Sequence, residues 1–470
     1  MGTPTITFLG ATETVTGSRF LVATDSVRIL VDAGLFQGTR DIRQRNWDRF
    51  PIEPETIDAV VLTHAHLDHC GYLPLLVKQG FQQKVFCTEN TQKLVGVILR
   101  DSGRIQEEDA YYAARKGYSK HKSPQALYTE VDAINALKLI VDVPFHQRQQ
   151  IAPEAYVTFY PSGHILGSAF VVLEVEGSRL LFTGDMGRTQ HPILVAPESV
   201  PPAHYDAIIT ESTYGDRIHE TPSNIFADTI TKTISRGGSV LIPAFAVDRT
   251  EVILIELRKL MESGEIPRVP LYVDSPMALS SLEFYRDAIS ESDAEIRPEV
   301  CAQWHDADIF DSGTLHEMRT VEESKSLNSV RGPHIIVSAS GMATGGRVVH
   351  HLARMLPEAK NTILLVGFQA AGTRGRLLEQ GDSEVKIHGD WVPVLAQIAK
   401  AESFSVHADG VELAQWLGQA QSPTAVFVVH GETGAAQTFA THLSDKFGWD
   451  VVVPTSEEKF TLSTSIPPRT

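Results

Sequence analysis

Short apolar runs separated by turns fill the first part of the chain and predict β-strands. The predicted strands cover residues 5–9, 19–23, 26–32, 58–63, 155–160, 169–175, 179–182 and 207–210. Apolar residues at helical spacing predict helices over 72–79, 91–116 and 130–141, and the many charges of 91–116 indicate a half-exposed helix. This mixture of strands and helices predicts a layered α/β sandwich.

After about residue 221 the pattern changes to a regular alternation of helix and strand. Helices are predicted over 223–236, 249–263 and 346–356, and strands over 239–242, 271–273, 334–337 and 362–367. This alternation is typical of βαβ units on a parallel sheet. Residues 288–325 are irregular. The end of the chain returns to the pattern of the first part, with a strand over 425–429 and a helix over 434–446. This order predicts one domain inserted into another.

Length and composition indicate a soluble globular protein of two domains, since the chain has 470 residues and 42% hydrophobic content. No apolar run approaches the roughly 20 residues that span a bilayer, and the N-terminus does not resemble a signal peptide, so no membrane partner and a cytoplasmic location are expected. The three cysteines, Cys70, Cys87 and Cys301, form no C-x-x-C pair and argue against a cysteine-bound structural zinc. The net charge of −17 argues against non-specific coating of nucleic acid, but a local basic channel leaves a nucleic-acid enzyme open.

The strongest chemical signal is the motif His64-Ala-His66-Leu-Asp68-His69, directly after the predicted strand 58–63. Imidazole and carboxylate groups at this density suit two borderline ions such as Zn²⁺. Zinc lowers the pKa of a bound water to near neutrality, so such a motif produces hydroxide. The alternative, a polar turn that happens to be rich in histidine, leaves the later histidines and aspartates unexplained.

Four further apolar strands end in a reactive residue, namely His164, Asp185, Glu211 and His430. Strand ends are where α/β folds gather distant residues into one site. The predicted ligands are His64, His66 and His164 for one ion and Asp68, His69 and His430 for the second, with Asp185 bridging both. Each ion then keeps an open position, as catalytic sites do. Asp32, at the end of strand 26–32, is expected to orient an imidazole by a hydrogen bond, with an ordinary turn residue as the alternative.

These residues carry a resemblance to a known family. The motif at 64–69, with His164 and Asp185, resembles the metallo-β-lactamase superfamily. The other motifs resemble its β-CASP branch, the nucleases that include the endonuclease subunit of the cleavage and polyadenylation specificity factor. They are Gly10-Ala-Thr-Glu-Thr-Val-Thr-Gly17, Val31-Asp-Ala-Gly-Leu-Phe-Gln-Gly38, Thr210-Glu-Ser-Thr-Tyr-Gly215, Ser338-Ala-Ser-Gly-Met-Ala-Thr-Gly-Gly-Arg347, Ser403-Phe-Ser-Val-His-Ala-Asp409 and Val429-His-Gly-Glu432. The chain is most similar to the compact bacterial members of this branch.

The resemblance implies an α/β fold, a metallo-β-lactamase αββα sandwich with an inserted β-CASP α/β domain whose parallel sheet is flanked by helices. It places the first segment of the sandwich at 1–212, the β-CASP domain at 213–385 and the second segment at 386–470. It also implies two Zn²⁺ ions, and RNA running through the cleft between the domains.

The implied reaction is hydrolysis of RNA phosphodiester bonds, in RNA processing or decay, by in-line attack of metal-bound hydroxide. Products carry a 5′-phosphate and a 3′-hydroxyl. Asp68 aligns the hydroxide, and His407 is the expected general acid, oriented by Glu211. His430 matches a position that is histidine in RNA-cleaving members and usually apolar in DNA-processing ones, so single-stranded RNA is the expected substrate. Endonuclease and exonuclease activity both stay open, as does a homodimer.

The candidates for holding substrate are Ser338, Ser340, Gly341, Arg249, Arg347 and Arg374. The turn 338–341 precedes a helix, whose N-terminus favours an anion. For each arginine an ordinary surface charge is the alternative. Two other functions compete with the ribonuclease. They are a small-molecule metallo-hydrolase that cleaves a thioester or lactone, and a non-catalytic RNA-binding or scaffold protein. The inserted domain, with Glu211, His407 and His430, counts against the first, and the intact ligand positions count against the second.

Overall fold

The computed structural model describes residues 3–116, 124–219 and 224–462. Contacts divide the chain into two units, Met1–Ile218 with His407–Thr470, and His219–Val406. The first unit begins with β1 (Thr5–Phe8), β2 (Phe20–Ala23), β3 (Arg28–Val31), α1 (Arg40–Gln44), β4 (Ala59–Val61), α2 (Leu67–Cys70), α3 (Leu73–Lys78), β5 (Lys84–Cys87), α4 (Glu89–Lys116), α5 (Glu130–Leu137), β6 (Ile140–Asp142), β7 (Gln149–Ala152), β8 (Ala155–Pro161), β9 (Ala169–Val175), β10 (Ser178–Phe182) and β11 (Ala207–Thr210).

The second unit follows, and the chain then returns to the first. The second unit contains α6 (Ile225–Ser235), β12 (Val240–Pro243), α7 (Arg249–Ser263), β13 (Leu271–Val273), α8 (Pro276–Ser290), α9 (Pro298–Trp304), β14 (Leu315–Glu317), α10 (Val321–Ser326), β15 (Ile335–Ser338), α11 (Arg347–Met355), β16 (Thr362–Leu365), α12 (Arg374–Gln380), β17 (Glu384–Ile387), β18 (Asp390–Pro393) and β19 (Gln397–Lys400). The returning segment contains α13 (Gly410–Leu417), β20 (Val426–Val428), α14 (Thr433–Phe447), β21 (Val451–Val452) and β22 (Lys459–Thr461).

Two seven-stranded sheets face each other in the first unit, with strand orders β22-β1-β2-β3-β4-β5-β6 and β21-β20-β11-β10-β9-β8-β7. Apolar side chains from both sheets form one core, in which the rings of Phe8 and Phe427 lie 5.0 Å apart. The outer face of the second sheet packs against α13 and α14 through a separate apolar cluster. The predicted αββα sandwich is therefore confirmed.

The second unit is built on a six-stranded sheet in the order β14-β13-β15-β12-β16-β19, and all of its strand pairs are parallel. This confirms the predicted parallel sheet within an inserted α/β unit. Because β19 pairs with β16, residues 397–400 belong to the second unit. By contacts, the chain therefore returns to the first unit at His407, beyond the predicted return at residue 386.

Some predicted elements are wrong in extent. The helix predicted over 130–141 ends at Leu137, because Ile140 and Val141 pair with Val85 and Phe86 of β5. The stretch 288–325, predicted as irregular, contains α9, β14 and α10, and α8 precedes it. Residue 223, the predicted start of one helix, lies outside the described residues. Cys70, Cys87 and Cys301 are buried free thiols. Among the described residues, no helix is long and apolar enough to cross a membrane.

Candidate metal centre

The ends of two neighbouring strands place the first part of the site. β3 and β4 are paired in parallel, so the residues that follow them lie side by side. The Asp32 carboxylate accepts hydrogen bonds from the Thr63 backbone N–H at 2.8 Å and from the Thr63 hydroxyl at 2.9 Å. The chain then passes through His64 and His66 into the short helix α2, which carries Asp68 and His69. A local strand–turn–helix thus presents the whole motif.

The first cluster contains His64, His66, His164 and Asp185, whose ligand atoms all lie within 4.8 Å of one another. Nδ1 of His66 is 3.1 Å from Nε2 of His64 and 3.3 Å from Nε2 of His164. Oδ2 of Asp185 is 3.5 Å and 3.6 Å from the same two Nε2 atoms. Two ligands of a tetrahedral zinc, each bound at 2.0–2.1 Å, are about 3.3 Å apart. The spacing of this donor set therefore fits a zinc ion.

The second cluster contains Asp68, His69 and His430. Nε2 of His430 is 3.2 Å from Nε2 of His69 and 3.5 Å from Oδ2 of Asp68. The other oxygen of Asp185, Oδ1, lies 3.3 Å from Nε2 of His69 and 3.6 Å from Nδ1 of His430. Asp185 therefore turns one oxygen toward each cluster. The structure brings all seven predicted ligands into one place.

The histidines of the first cluster are held in the form that binds metal. Burial lowers the pKa of His64 and of His164 well below the usual range, and it lowers the pKa of His66 to about 4. Neighbouring imidazoles add to this effect. At neutral pH these rings are neutral, with a nitrogen lone pair available to a cation.

The second cluster is held by opposite charges. Burial by itself lowers the pKa of His69 and His430. The carboxylates beside the rings, Asp185 with Asp32 at His69 and Asp185 with Asp68 at His430, more than reverse this, so that each pKa is raised. In the same way, burial raises the pKa of Asp185, but His430 and His69 lower it well below the usual range. Asp185 is therefore ionised, and its carboxylate offers a strong field to a cation.

Several side chains fix the orientation of the second cluster. Nδ1 of His69 lies 2.7 Å from Oδ2 of Asp32, which directs Nε2 of the same ring toward Asp185. The Thr213 hydroxyl is 3.1 Å from Nδ1 of His430, and the Ser18 hydroxyl is 3.3 Å from Nε2 of His69. Sequence reasoning missed Ser18 and Thr213. The available signal was their position, since Ser18 directly follows the motif 10–17 and Thr213 lies within the motif 210–215.

A glutamate–histidine pair borders the first cluster. Oε2 of Glu211 lies 3.2 Å from Nδ1 of His407, and Oε1 accepts a 2.6 Å hydrogen bond from the backbone N–H of Met186. The Glu211 side chain is 1% exposed, whereas that of His407 is 16% exposed. The rings of His407 and His164 are 4.4 Å apart. With Nδ1 directed at Glu211, the tautomer assigned from this contact leaves Nε2 as the nitrogen for proton transfer.

The six residues predicted to hold substrate all belong to the second unit. Arg347 donates to Oδ1 of Asp274 at 2.7 Å, and the hydroxyl of Ser338 donates to the Asp274 carbonyl at 2.7 Å. Arg249 is buried and donates to the Val366 carbonyl at 2.5 Å. The other three residues lie in the glycine-rich turn after β15 or contact it. Arg374 donates to the carbonyls of Ala343 and Lys386. Ser340 contacts the Thr344 hydroxyl, and a Cβ on Gly341 would lie 2.8 Å from the ring of Phe245. These contacts hold the glycine-rich turn in place, and direct binding of substrate stays a prediction.

Comparisons with known proteins match both units. Family models described as the metallo-beta-lactamase superfamily, the Beta-Casp domain and the Zn-dependent metallo-hydrolase RNA specificity domain match residues 15–220, 250–378 and 391–454. A protein named as a ribonuclease from Thermus thermophilus is 35% identical over 427 residues, which are 90% of this chain and 92% of that protein. An RNase J-like protein of Methanocaldococcus jannaschii is 31% identical over 438 residues, 92% of this chain and 94% of the relative.

One solved structure covers nearly the whole chain. The crystal structure of a protein of unknown function from Enterococcus faecalis V583 covers 97% of this chain and 99% of its own, with a TM-score of 0.51. The two sequences are 12% identical, so the likeness supports the fold alone.

Proposed function

Because this chain belongs to the β-CASP family of the metallo-β-lactamase superfamily, we propose that it is a two-zinc ribonuclease that hydrolyses phosphodiester bonds of single-stranded RNA. The observation that carries the proposal is Asp185, whose two oxygens face two separate ligand clusters. A carboxylate shared in this way suits two metal ions about 3.5–4 Å apart, an arrangement that nucleases and phosphatases use.

The residues of the two clusters would hold the ions. His64, His66 and His164 would bind the first ion, and Asp68, His69 and His430 the second, with Asp185 between them. When bound, zinc supplies Lewis acidity toward phosphoryl oxygens and lowers the pKa of water to near neutrality. Because the ligand side chains are buried and ordered, they need no rearrangement during the reaction.

The chain's own residues would position the water and move the proton. Asp68 is 20% exposed at its side chain, so its carboxylate can reach a water above the site and accept a hydrogen bond from it. Such a contact aligns the water opposite the bond that breaks. His407 would donate its Nε2 proton to the departing 3′-oxygen, and the Glu211 carboxylate would stabilise the imidazolium and fix its tautomer. The products would carry a 5′-phosphate and a 3′-hydroxyl.

The Glu211–His407 pair favours a phosphodiester over a thioester substrate. A ribose 3′-alkoxide is strongly basic and needs a proton as it leaves, whereas a thiolate leaves unprotonated. A partly exposed histidine on a buried carboxylate supplies that proton. We place this reaction in RNA processing or decay in the cytoplasm, and light scattering of the purified protein would test whether it acts as a homodimer.

The test uses zinc-loaded protein with RNA labelled at its 5′ or 3′ end and with single-stranded DNA of the same sequence. We expect cleavage of the RNA that disappears with chelator and in His430→Ala. A matched control is His442→Ala, which removes an exposed imidazole from α14 and should leave the rate unchanged. If the wild-type protein cleaves no RNA over a range of sequences, the proposal is wrong. Equal cleavage of DNA would refute the preference for RNA.

A further inference from the structure

A basic stretch follows the loop that supports the metal-binding motif. We call residues 39–49 the arginine segment, because they contain Arg40, Arg43, Arg45 and Arg49 in a chain whose net charge is −17. The helix α1 within it has no buried residue. Arg40 and Arg43 are exposed, and among the residues that the structure describes neither guanidinium has a hydrogen-bond or ion-pair partner. The segment also contains the exposed Asp41 and Asp48, so four arginines against two aspartates leave a net charge of +2 on an acidic molecule.

The arginine segment is anchored in a single position. Asn46 is buried, accepts a 2.9 Å hydrogen bond from the Phe36 backbone N–H and donates a 2.8 Å bond to the Phe36 carbonyl. The guanidinium of Arg45 lies 4.1 Å from the centre of the Phe36 ring and donates to the Ser456 hydroxyl at 2.5 Å. Because the backbone on either side of these contacts is fixed, the exposed side chains are held on a preformed surface.

The loop that precedes the arginine segment is hydrogen-bonded to the metal-binding motif. The backbone N–H of Ala33 donates to the carbonyl of His69 at 2.7 Å, and that of Leu35 donates to the carbonyl of Leu67 at 2.8 Å. Each residue extends a chain by at most about 3.6 Å, so the Cα atom of Arg40 lies within about 18 Å of that of Leu35. A strand of nucleic acid bound at the metal ligands would reach this surface within a few nucleotides.

The same segment also offers an aromatic surface. The side chain of Trp47 is 54% exposed, which is unusual for the largest apolar side chain. Residues that come soon after Trp47 in the sequence, among them Arg49, Phe50 and Glu53, line an open depression of about 500 Å³ together with Arg28. The ion pair between Arg49 and Glu53 is exposed, and such pairs are weak enough to be exchanged for a phosphate.

We propose that the arginine segment binds the single-stranded RNA that flanks the cleaved bond. Arg40 and Arg43 contact backbone phosphates, and Trp47 stacks against one base. The proposal rests on the proposed ribonuclease function. Alternating phosphates and bases match a short segment that exposes both guanidinium groups and an indole, since bases of any identity stack on aromatic rings. An acidic protein partner would match the arginines but gives no role to the exposed indole of Trp47.

The test measures binding and cleavage of a long single-stranded RNA and of a dinucleotide by zinc-loaded protein. The variants are Arg40→Gln with Arg43→Gln, and Trp47→Ala. The charge-matched control is Lys84→Gln with Arg115→Gln, two exposed cations of the same unit. Losing two phosphate contacts should reduce the slope of log affinity against log salt by about 1.4. Losing the stacked base should weaken binding of the long RNA by about 10-fold. Dinucleotide hydrolysis should not change.

The outcomes separate this proposal from the catalytic one. If the wild type binds the long RNA through these residues but cleaves none, the binding surface stands and the ribonuclease proposal fails. If the wild type cleaves RNA and the variants match the control in affinity and salt slope, the binding surface is wrong. If the wild type does not bind RNA at all, the surface proposal is also wrong, and an acidic protein partner becomes the explanation for the exposed arginines.

Discussion

Replacing Asp32 by asparagine should weaken the second metal site without disturbing the fold. Asp32 has a φ of 59°, which asparagine tolerates better than most residues. The Thr63 backbone N–H points at Oδ1, so in Asp32→Asn the new amide oxygen must stay there and the amide NH₂ group must take the place of Oδ2. That group then faces Nδ1 of His69, from which the wild-type carboxylate accepts a hydrogen bond. The histidine has to switch tautomers, and its proton moves to Nε2, the nitrogen that faces Asp185 and the ion.

The size of the effect follows from how closely the two groups are coupled. Asp32 and His69 are almost completely buried, and the contact between them is 2.7 Å long. Loss of such a partner of a metal-binding histidine typically lowers metal affinity by about 10–100-fold, or about 1.4–2.8 kcal/mol. Competition with a coloured chelator would measure zinc affinity. We expect weaker binding of one ion per chain, while the ion held by His64, His66 and His164 keeps its affinity.

A matched control is Asp58→Asn, because Asp58 also accepts a hydrogen bond from a backbone N–H, that of Arg28, but lies on the surface. Circular dichroism would show that both variants fold. If folded Asp32→Asn bound both ions as tightly as Asp58→Asn, the tautomer argument would be refuted. Equal weakening of both ions would instead indicate a general loosening of the site.

Three further predictions concern proton transfer, stability and close packing. Glu211→Gln should lower the RNA cleavage rate about 100-fold or more while the zinc content stays at the wild-type value, because His407 loses the group that fixes its tautomer. Burial, together with the nearby Asp248, raises the pKa of Glu251 well above its usual range. The folded state therefore holds this proton more tightly than the unfolded chain, and wild-type stability falls as pH rises above the unfolded pKa of about 4.3. The free energy of unfolding of Glu251→Gln, measured by melting, should exceed that of wild type by about 1.4 kcal/mol for each pH unit above that value, up to the folded pKa. At lower pH the two free energies should be equal. Gly34→Ala should lower the melting temperature and the zinc content, because a Cβ there would lie 1.7 Å from the carbonyl oxygen of Asp68.

Two of these variants have matched controls. Glu262→Gln changes an exposed carboxylate of α7 and should show no pH-dependent gain over wild type. Gly96→Ala lies within α4, where a Cβ meets no atom within 4 Å, and should be neutral or slightly stabilising. An unchanged zinc content with normal melting in Gly34→Ala, a pH-independent effect of Glu251→Gln, or full activity of Glu211→Gln would each contradict the corresponding argument.

The sequence predicted most of the architecture where the pattern of apolar residues is local. β8, β9 and β11 are predominantly apolar, and they form where the pattern placed them. The pattern failed for α5 and β6, because the strand Ile140–Asp142 depends on pairing with β5, which is distant in the chain. Helix α8 was missed although Ser275 caps it, Pro276 begins it and its buried apolar residues recur at helical spacing.

The candidate site divides in the same way. The motif 64–69 is a local pattern, and the strand ends marked His164, Asp185, Glu211 and His430 individually. The grouping of the ligands into two sets around Asp185, and the pair of Glu211 with His407, were also predicted. The distances and the atoms in contact could not be, since they depend on how the strands are ordered in two sheets. Which oxygen of Asp185 faces which cluster, and the hydroxyl groups of Ser18 and Thr213 beside the imidazoles, emerge only from that order.

By itself, the sequence determined the fold class and the kinds of chemical group available, because apolar periodicity and ligand spacing act over a few residues. Only the tertiary structure decided how those groups are arranged. It showed that His69 is the imidazole that Asp32 contacts, and it gave the 3.2 Å distance within the expected pair of Glu211 and His407, since these contacts join residues far apart in the chain. It also showed that Arg249, Arg347 and Arg374 are engaged inside the second unit, while Arg40 and Arg43 point to solvent. The residue type gives the charge of a side chain, but the group with which that side chain interacts depends on which backbone segments the fold brings together.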